Sequence, residues 1–284
     1  LFQISDTFDF PLLSLAAFKM SMHKAIRYMR DHKMTAKTLE LAIKHRRILK
    51  EFRFEKIRSH HLPQLMDLSK GFFEDESLTS ATQSTIDDCA RMMEFVHSYA
   101  IAAQKVTDRS MICFHRESEY PIGFRLSHPV YRHESTAPFP IPVLPLMNKQ
   151  ELSLFSSLDE TFNQVWRIFP DEEVIYKGEV CYIDRRFRSA GLFQVWVDYD
   201  LDFPLIAEET GARYFAAVGT ALQSKGMYLQ RGFHSAYTSP STVRDKQGNE
   251  VPLPAGEMKL LVKDMVDAST IDVHPIWKAL RWVE

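Results

Sequence analysis

The sequence predicts a mixed α/β (α+β) domain, a sheet carrying helices on its faces, behind a basic helical extension. Three observations predict it. From Glu51 onward, short apolar runs of strand length alternate with longer stretches whose apolar residues recur at helical spacing. The chain has 284 residues, enough for one sizeable core and too few for a many-domain assembly. Its 45% hydrophobic, 12% aromatic and 25% charged residues exclude disordered, collagen-like and repeat classes.

The extension covers residues 1–50 and the main domain 51–284. Within 19–50, ten lysines and arginines face only Asp31 and Glu40. Ile26, Met29, Leu39, Ile43 and Leu49 recur at roughly helical spacing there, so one or two amphipathic helices are expected. Their charge reads as a solvated face packing on the main domain, with an acidic partner or membrane surface as the alternative.

Phe52–Ile57 reads as a strand, Pro63–Phe73 as a helix and Ser84–Gln104 as a longer helix with Asp87 and Asp88 at its front. Met111–His115 and Ile122–Ser127 form a hairpin around a polar turn. Residues 129–145 hold five prolines, which predicts a long surface loop; Tyr131, Phe139 and Leu144 in it either line an acceptor pocket or anchor the loop. Lys149–Phe169 is a helix and Val174–Ile183 a strand. Leu192–Thr210 is a helical stretch with a kink or break at Pro204. Ala212–Val218 is a buried strand and Leu222–Gln230 a short helix. Phe233–Thr238 and Glu257–Val262 are strands joined by a turn-rich loop around Gly248.

Net charge is −2 at pH 7, so no chain-wide field draws nucleic acid or an anionic membrane, and neither is expected as a partner. No run reaches the roughly 20 apolar residues of a membrane-spanning helix. Cys89, Cys113 and Cys181 lie far apart without histidines at ligand spacing, so no metal is expected and a reducing, cytoplasmic setting fits. Cys113 and Cys181 sit in apolar strands, where cysteine acts as a small hydrophobe rather than a nucleophile.

The most informative junction runs from Tyr182 and Ile183, at a strand end, through Arg185, Arg186 and Arg188 to Ser189, Ala190, Gly191, Leu192 and Phe193, where a helix begins. Small residues let a ligand approach backbone amides backed by a helix dipole, and the arginines add positive charge. Such a turn suits a phosphate or pyrophosphate; a capped basic surface turn is the alternative.

This turn, the strand after it and Tyr228-x-x-x-Gly232-Phe233 resemble the second half of the GNAT superfamily of acetyl-CoA-dependent N-acetyltransferases. Arg188 and Gly191 fit the family's pyrophosphate loop, whose last position, usually glycine or alanine, is Phe193. The segment Phe72-Phe73-Glu74-Asp75-Glu76-Ser77-Leu78 is similar to that of the invertebrate arylalkylamine N-acetyltransferases, with Ser77 for the usual proline. Thr220 and Ser224 stand twelve and eight positions before Gly232, where that group carries hydroxyl residues. The resemblance covers residues 51–265. It implies a mixed, mostly antiparallel central sheet, acetyl-CoA as co-substrate and a small primary amine, aromatic or aliphatic, as acceptor. It also implies Glu76 as base, Tyr228 or Ser224 as proton donor, and Thr220 among the cofactor-binding residues with those of the turn. A peptide N-acetyltransferase and a non-catalytic CoA-binding module are the alternatives.

Acetyl transfer needs a neutral nitrogen, and at pH 7 only about one alkylammonium in a thousand has lost its proton, a cost of about 4 kcal/mol. A base is therefore required. Glu179, on the strand feeding the turn, competes with Glu76 for that role. His128 and His133, in the proline loop, are candidates for substrate binding or proton relay.

Overall fold

The computed structural model describes residues 45–144, 146, 149–193 and 201–267. Those from Ile48 onward belong to one compact unit, Ile48–Asp272; of the other unit, Leu1–Arg47 with Val273–Glu284, only residues 45–47 are described. Of the amphipathic helices expected within 19–50, the described part, residues 45–50, is helical, and the rest lies outside the described residues.

β1 (Phe52–Lys56), β2 (Met111–His115) and β3 (Tyr120–Tyr131) form an antiparallel meander, joined on its far side by β4 (Val174–Ile183). β5 (Tyr214–Gly219) pairs parallel to β4, and β9 (Lys259–Asp264) then separates β5 from β6 (His234–Thr238). The seven strands run in the order β1-β2-β3-β4-β5-β9-β6, and β4–β5 is the parallel pair among otherwise antiparallel neighbours. β7 (Thr242–Arg244) and β8 (Glu250–Pro252) make a separate hairpin, where the sequence reads only as a turn-rich loop.

On one face lie α1 (Leu62–Asp75), α2 (Ser77–Thr82) and α3 (Ile86–Ala103), whose Leu65, Leu68, Met93 and Ala100 bury against Ile112, Phe124 and Leu126 of the sheet. Pro63 occupies the first turn of α1, where its missing N–H costs nothing. Thr85 and Asp88 close α3 with a reciprocal capping box, Asp88 N to Thr85 Oγ1 at 3.1 Å and Thr85 N to Asp88 Oδ2 at 2.7 Å. α4 (Lys149–Phe162) and α5 (Val165–Ile168) pack Phe162 and Val165 onto Ile175, Ala216 and Val262.

Two expectations are corrected and a third, the break at Pro204, is borne out. β3 runs through Pro129 to Tyr131, because β2 reaches no further than Arg125 and β3 beyond it has a strand neighbour on one side only. The stretch expected as one helix over 149–169 divides at Asn163 into α4 and α5. Pro204 follows the expected break, Leu201 and Asp202 being non-helical. It stands in the first turn of α6 (Phe203–Thr210), whose N-cap Asp202 accepts from Leu205 N at 3.2 Å, and α6 seats Phe203 against Phe215 and Phe233.

Candidate active site

β4 and β5 are paired only from Tyr176–Gly178 to Phe215–Ala217. The residue after Gly178 is the reason they part. Opposite β3, Ser127 pairs with Gly178 and Leu126 with Val180, so Glu179 is an extra residue, a β-bulge. Beyond it β4 follows β3 to Ile183, whereas β5 follows β9 to Gly219. The gap opens into a cavity of about 550 Å³.

Glu76, Tyr182, Ile183, Arg188, Phe193, Thr220, Ser224 and Tyr228 all line this cavity. Leu192 does not; it is fully buried. Of Ser189 and Ala190 only the backbone is described, within a 3-10 turn over Arg185–Ala190 that Asp184 caps through Arg186 N at 2.9 Å. Gly191 ends that turn at φ 74°, a conformation open to glycine at little cost, and the helical residues Leu192 and Phe193 follow.

Of the acidic stretch Glu74–Glu76, Glu74 is exposed, whereas Asp75 and Glu76 are part-buried and engaged. α1 stops because Glu76 turns extended (φ −78°, ψ 119°) and becomes the N-cap of α2. Its Oε1 accepts from Leu78 N at 3.2 Å and Ser77 Oγ at 3.3 Å, and its Oε2 accepts from Thr220 Oγ1 at 3.2 Å. Asp75, its side chain only 9% exposed, ion-pairs with both Arg185 and Arg188. Arg188 also donates through Nε to Ile183 O at 2.8 Å, and its guanidinium lies 5.6 Å from the Tyr182 ring. A glycine with φ > 0, flanking arginines and the open gap between strands fit an elongated phosphate-bearing ligand lying along β4.

α7 (Leu222–Gln230) brings Ser224 and Tyr228 to the cavity. The Ser224 hydroxyl donates to Ala221 O at 2.9 Å. Tyr228 packs edge-on to Phe233, ring centroids 4.8 Å apart, and burial pushes its phenol well above the ordinary value, so it keeps its proton at neutral pH.

Glu179 is surrounded differently from Glu76. Its Oε2 lies 2.6 Å from Lys177 Nζ and 3.4 Å from His128 Nε2. Burial pushes this carboxyl up, but the lysine and histidine outweigh it and hold it down at about 2. Engaged by the lysine and the histidine, Glu179 is a poorer proton acceptor than a carboxylate whose partners are neutral. Cys181 lines the cavity, and burial raises its thiol to about 12; that of Cys113 rises for the same reason. Neither supplies a thiolate. Tyr131 and Phe139 lie off the cavity, where Phe139 packs on Tyr99 (5.4 Å) and Tyr131 (6.1 Å) and so anchors the loop, while Leu144 is exposed. His133 is exposed. Sequence reasoning missed Asp75 and Lys177; their signals are charge placed beside a site residue at one position and at strand period.

Among the described residues no cluster of histidine, cysteine and carboxylate could hold a metal ion, and no helix is long and apolar enough to cross a membrane. No protein-family model and no curated protein sequence matches the chain. Solved structures do. A mosquito arylalkylamine N-acetyltransferase, like 5b, is similar over 75% of this chain and 99% of its own at TM-score 0.58 and 16% identity. A polyamine N-acetyltransferase of Drosophila melanogaster that forms N-acetylagmatine covers 75% and 100% at TM-score 0.56 and 15% identity. The C-terminal condensation domain of Ebony, solved with β-alanyl-dopamine, covers 75% and 99% at TM-score 0.59 and 11% identity. The chain has the GNAT fold.

Proposed function

We propose that the chain is an acetyl-CoA-dependent N-acetyltransferase acting on a primary amine of a small molecule. One observation carries this reading. Glu76, the stretch carrying Thr220, Ser224 and Tyr228, and the turn carrying Arg188 and Phe193 line a single cavity where β4 and β5 part. The fold agrees with it, since similar structures bear the names of arylalkylamine and polyamine N-acetyltransferases.

In this reading the CoA pyrophosphate meets Arg188 and the turn around Gly191. Glu76, oriented by Thr220 and Leu78 N, takes the proton of the ammonium directly or through water. The neutral nitrogen attacks the thioester carbonyl, the C–S bond breaks, the leaving thiolate takes a proton from Tyr228, and the proton that the acylated nitrogen sheds on becoming an amide restores the tyrosine, directly or through water. Ser224 suits that step less, because its hydroxyl proton is directed to Ala221 O. No covalent enzyme intermediate is involved. The free thiols of Cys89, Cys113 and Cys181 suit the cytoplasm as its location.

Calorimetric titration with acetyl-CoA, followed by thiol release with a panel of amines, tests the reading. Binding with release is expected. Binding without release on any amine or peptide would leave a CoA-binding module in its place, and no binding would mean that Phe193 closes the phosphate site.

A further inference from the structure

Resting on the acetyltransferase reading, we propose that Glu179 anchors a second cationic group of the acceptor, which makes the substrate a diamine or an amine with a distal guanidinium. Glu179 lines the cavity at the bulge of β4, its side chain 17% exposed. Both of its partners, Lys177 Nζ at 2.6 Å and His128 Nε2 at 3.4 Å, meet the same oxygen, Oε2. No described residue donates to Oε1, which leaves that oxygen for a ligand.

The partners are themselves fixed. The Lys177 ammonium lies 4.5 Å from the centre of the Phe162 ring. The His128 ring packs on Tyr99 at 4.6 Å, and Tyr99 donates its hydroxyl to Pro129 O at 3.2 Å. Asp159 of α4 is a second acid close enough to feel both Lys177 and Glu179.

The anchored cation is not the reacting nitrogen. A permanent anion beside the nucleophile would stabilise its protonated form and oppose the deprotonation that attack requires. The reacting nitrogen belongs with Glu76, whose oxygens take neutral donors, Thr220, Ser77 and a backbone N–H. Glu179, on the wall of the same cavity, then takes the second positive group. The phosphate turn follows Ile183, about 13 Å further along β4 at ~3.3 Å per residue, so the cationic acceptor and the anionic donor do not compete for one patch.

The test is calorimetric binding of 1,4-diaminobutane, agmatine and butylamine at pH 8 to the full chain, with and without saturating CoA. The diamine and agmatine are expected to bind about tenfold tighter than butylamine, the gain of one charge-assisted hydrogen bond. In Glu179→Gln that ratio falls to about one. Lys177→Met, which removes the competitor for Glu179, raises it. Equal binding of diamine and monoamine by the unsubstituted chain, or a ratio that neither substitution moves, overturns the proposal. Should Glu179→Gln not fold, the Lys177→Met ratio decides alone: a rise sustains the anchor, and no change or a fall overturns it. Absent CoA binding with the diamine preference intact would sink the acetyltransferase reading and leave the anchor standing.

Discussion

Thr220, at the start of the link from β5 to α7, donates its hydroxyl to Oε2 of Glu76 at the α1–α2 junction, 3.2 Å away. This bond ties the proposed base to the segment that also carries Ser224 and Tyr228. Thr220→Val is expected to lower turnover about tenfold, because a hydrogen bond to a charged group contributes about 1.5–3 kcal/mol, while Thr220→Ser retains most of it. Steady-state kinetics of both variants check the assignment; equal loss in serine and valine would point to packing instead.

Glu76→Gln should depress turnover at pH 7 far more than at pH 10, where about half of an alkylamine is already neutral. The pH–rate profile is the measurement. A parallel loss at both ends of the range would remove Glu76 from the proton-accepting role.

Arg188→Gln is expected to weaken acetyl-CoA binding about tenfold, with Arg188→Lys in between, since a lysine keeps the charge and loses the fork. Asp75 pairs with both arginines and holds Arg188 at the cavity wall, so the loss should grow smaller as salt rises and screens the exposed arginines. Calorimetry at two ionic strengths reads it directly.

Gly178 is the last residue of β4 paired to β5, and a Cβ there would stand 2.8 Å from Phe215 Cε1 and 3.3 Å from Ala217 Cβ. Phe215 is wedged between Tyr176, Phe203 and Phe233 and has little room to yield. Gly178→Ala should therefore cost about 1–3 kcal/mol, the usual price of overpacking, visible as a lowered Tm. A wild-type Tm would mean that the strands shift apart at the bulge.

Much of this arrangement was legible before the structure. Val174–Ile183 and Leu222–Gln230 form their strand and helix over the residues their patterns predict, because a bounded apolar run and a short stretch between turn signals each leave one reading. The hairpin β7–β8 was not legible, since three residues per strand are too few for a period, and α2 is only six residues long. Within the site, the resemblance to the arylalkylamine N-acetyltransferases singled out Glu76, Ser224 and Tyr228. The pairing of Glu76 with Thr220 and of Asp75 with Arg185 and Arg188 joins segments over a hundred positions apart, so only the folded chain brings them together. Glu179 was visible as a carboxylate facing the cleft, but its character was not. Lys177 stands two positions away on the same strand, whereas His128 reaches it through the register of β3.

That character has a consequence for acid stability. The ordinary value for this carboxyl is 4.5; against the opposing effect of burial, Lys177 and His128 hold it in the folded chain at about 2. A group depressed on folding stabilises above its unfolded value and loses that contribution as pH falls through the folded one, so Glu179 contributes about 3 kcal/mol at neutral pH that is lost progressively as pH falls from about 5 through 2. Glu179→Gln should lower stability near pH 7 and flatten its fall across this acid range. Urea unfolding at a series of pH values measures the slope, and an acid limb as steep in the variant as in the parent would show that other carboxylates set it.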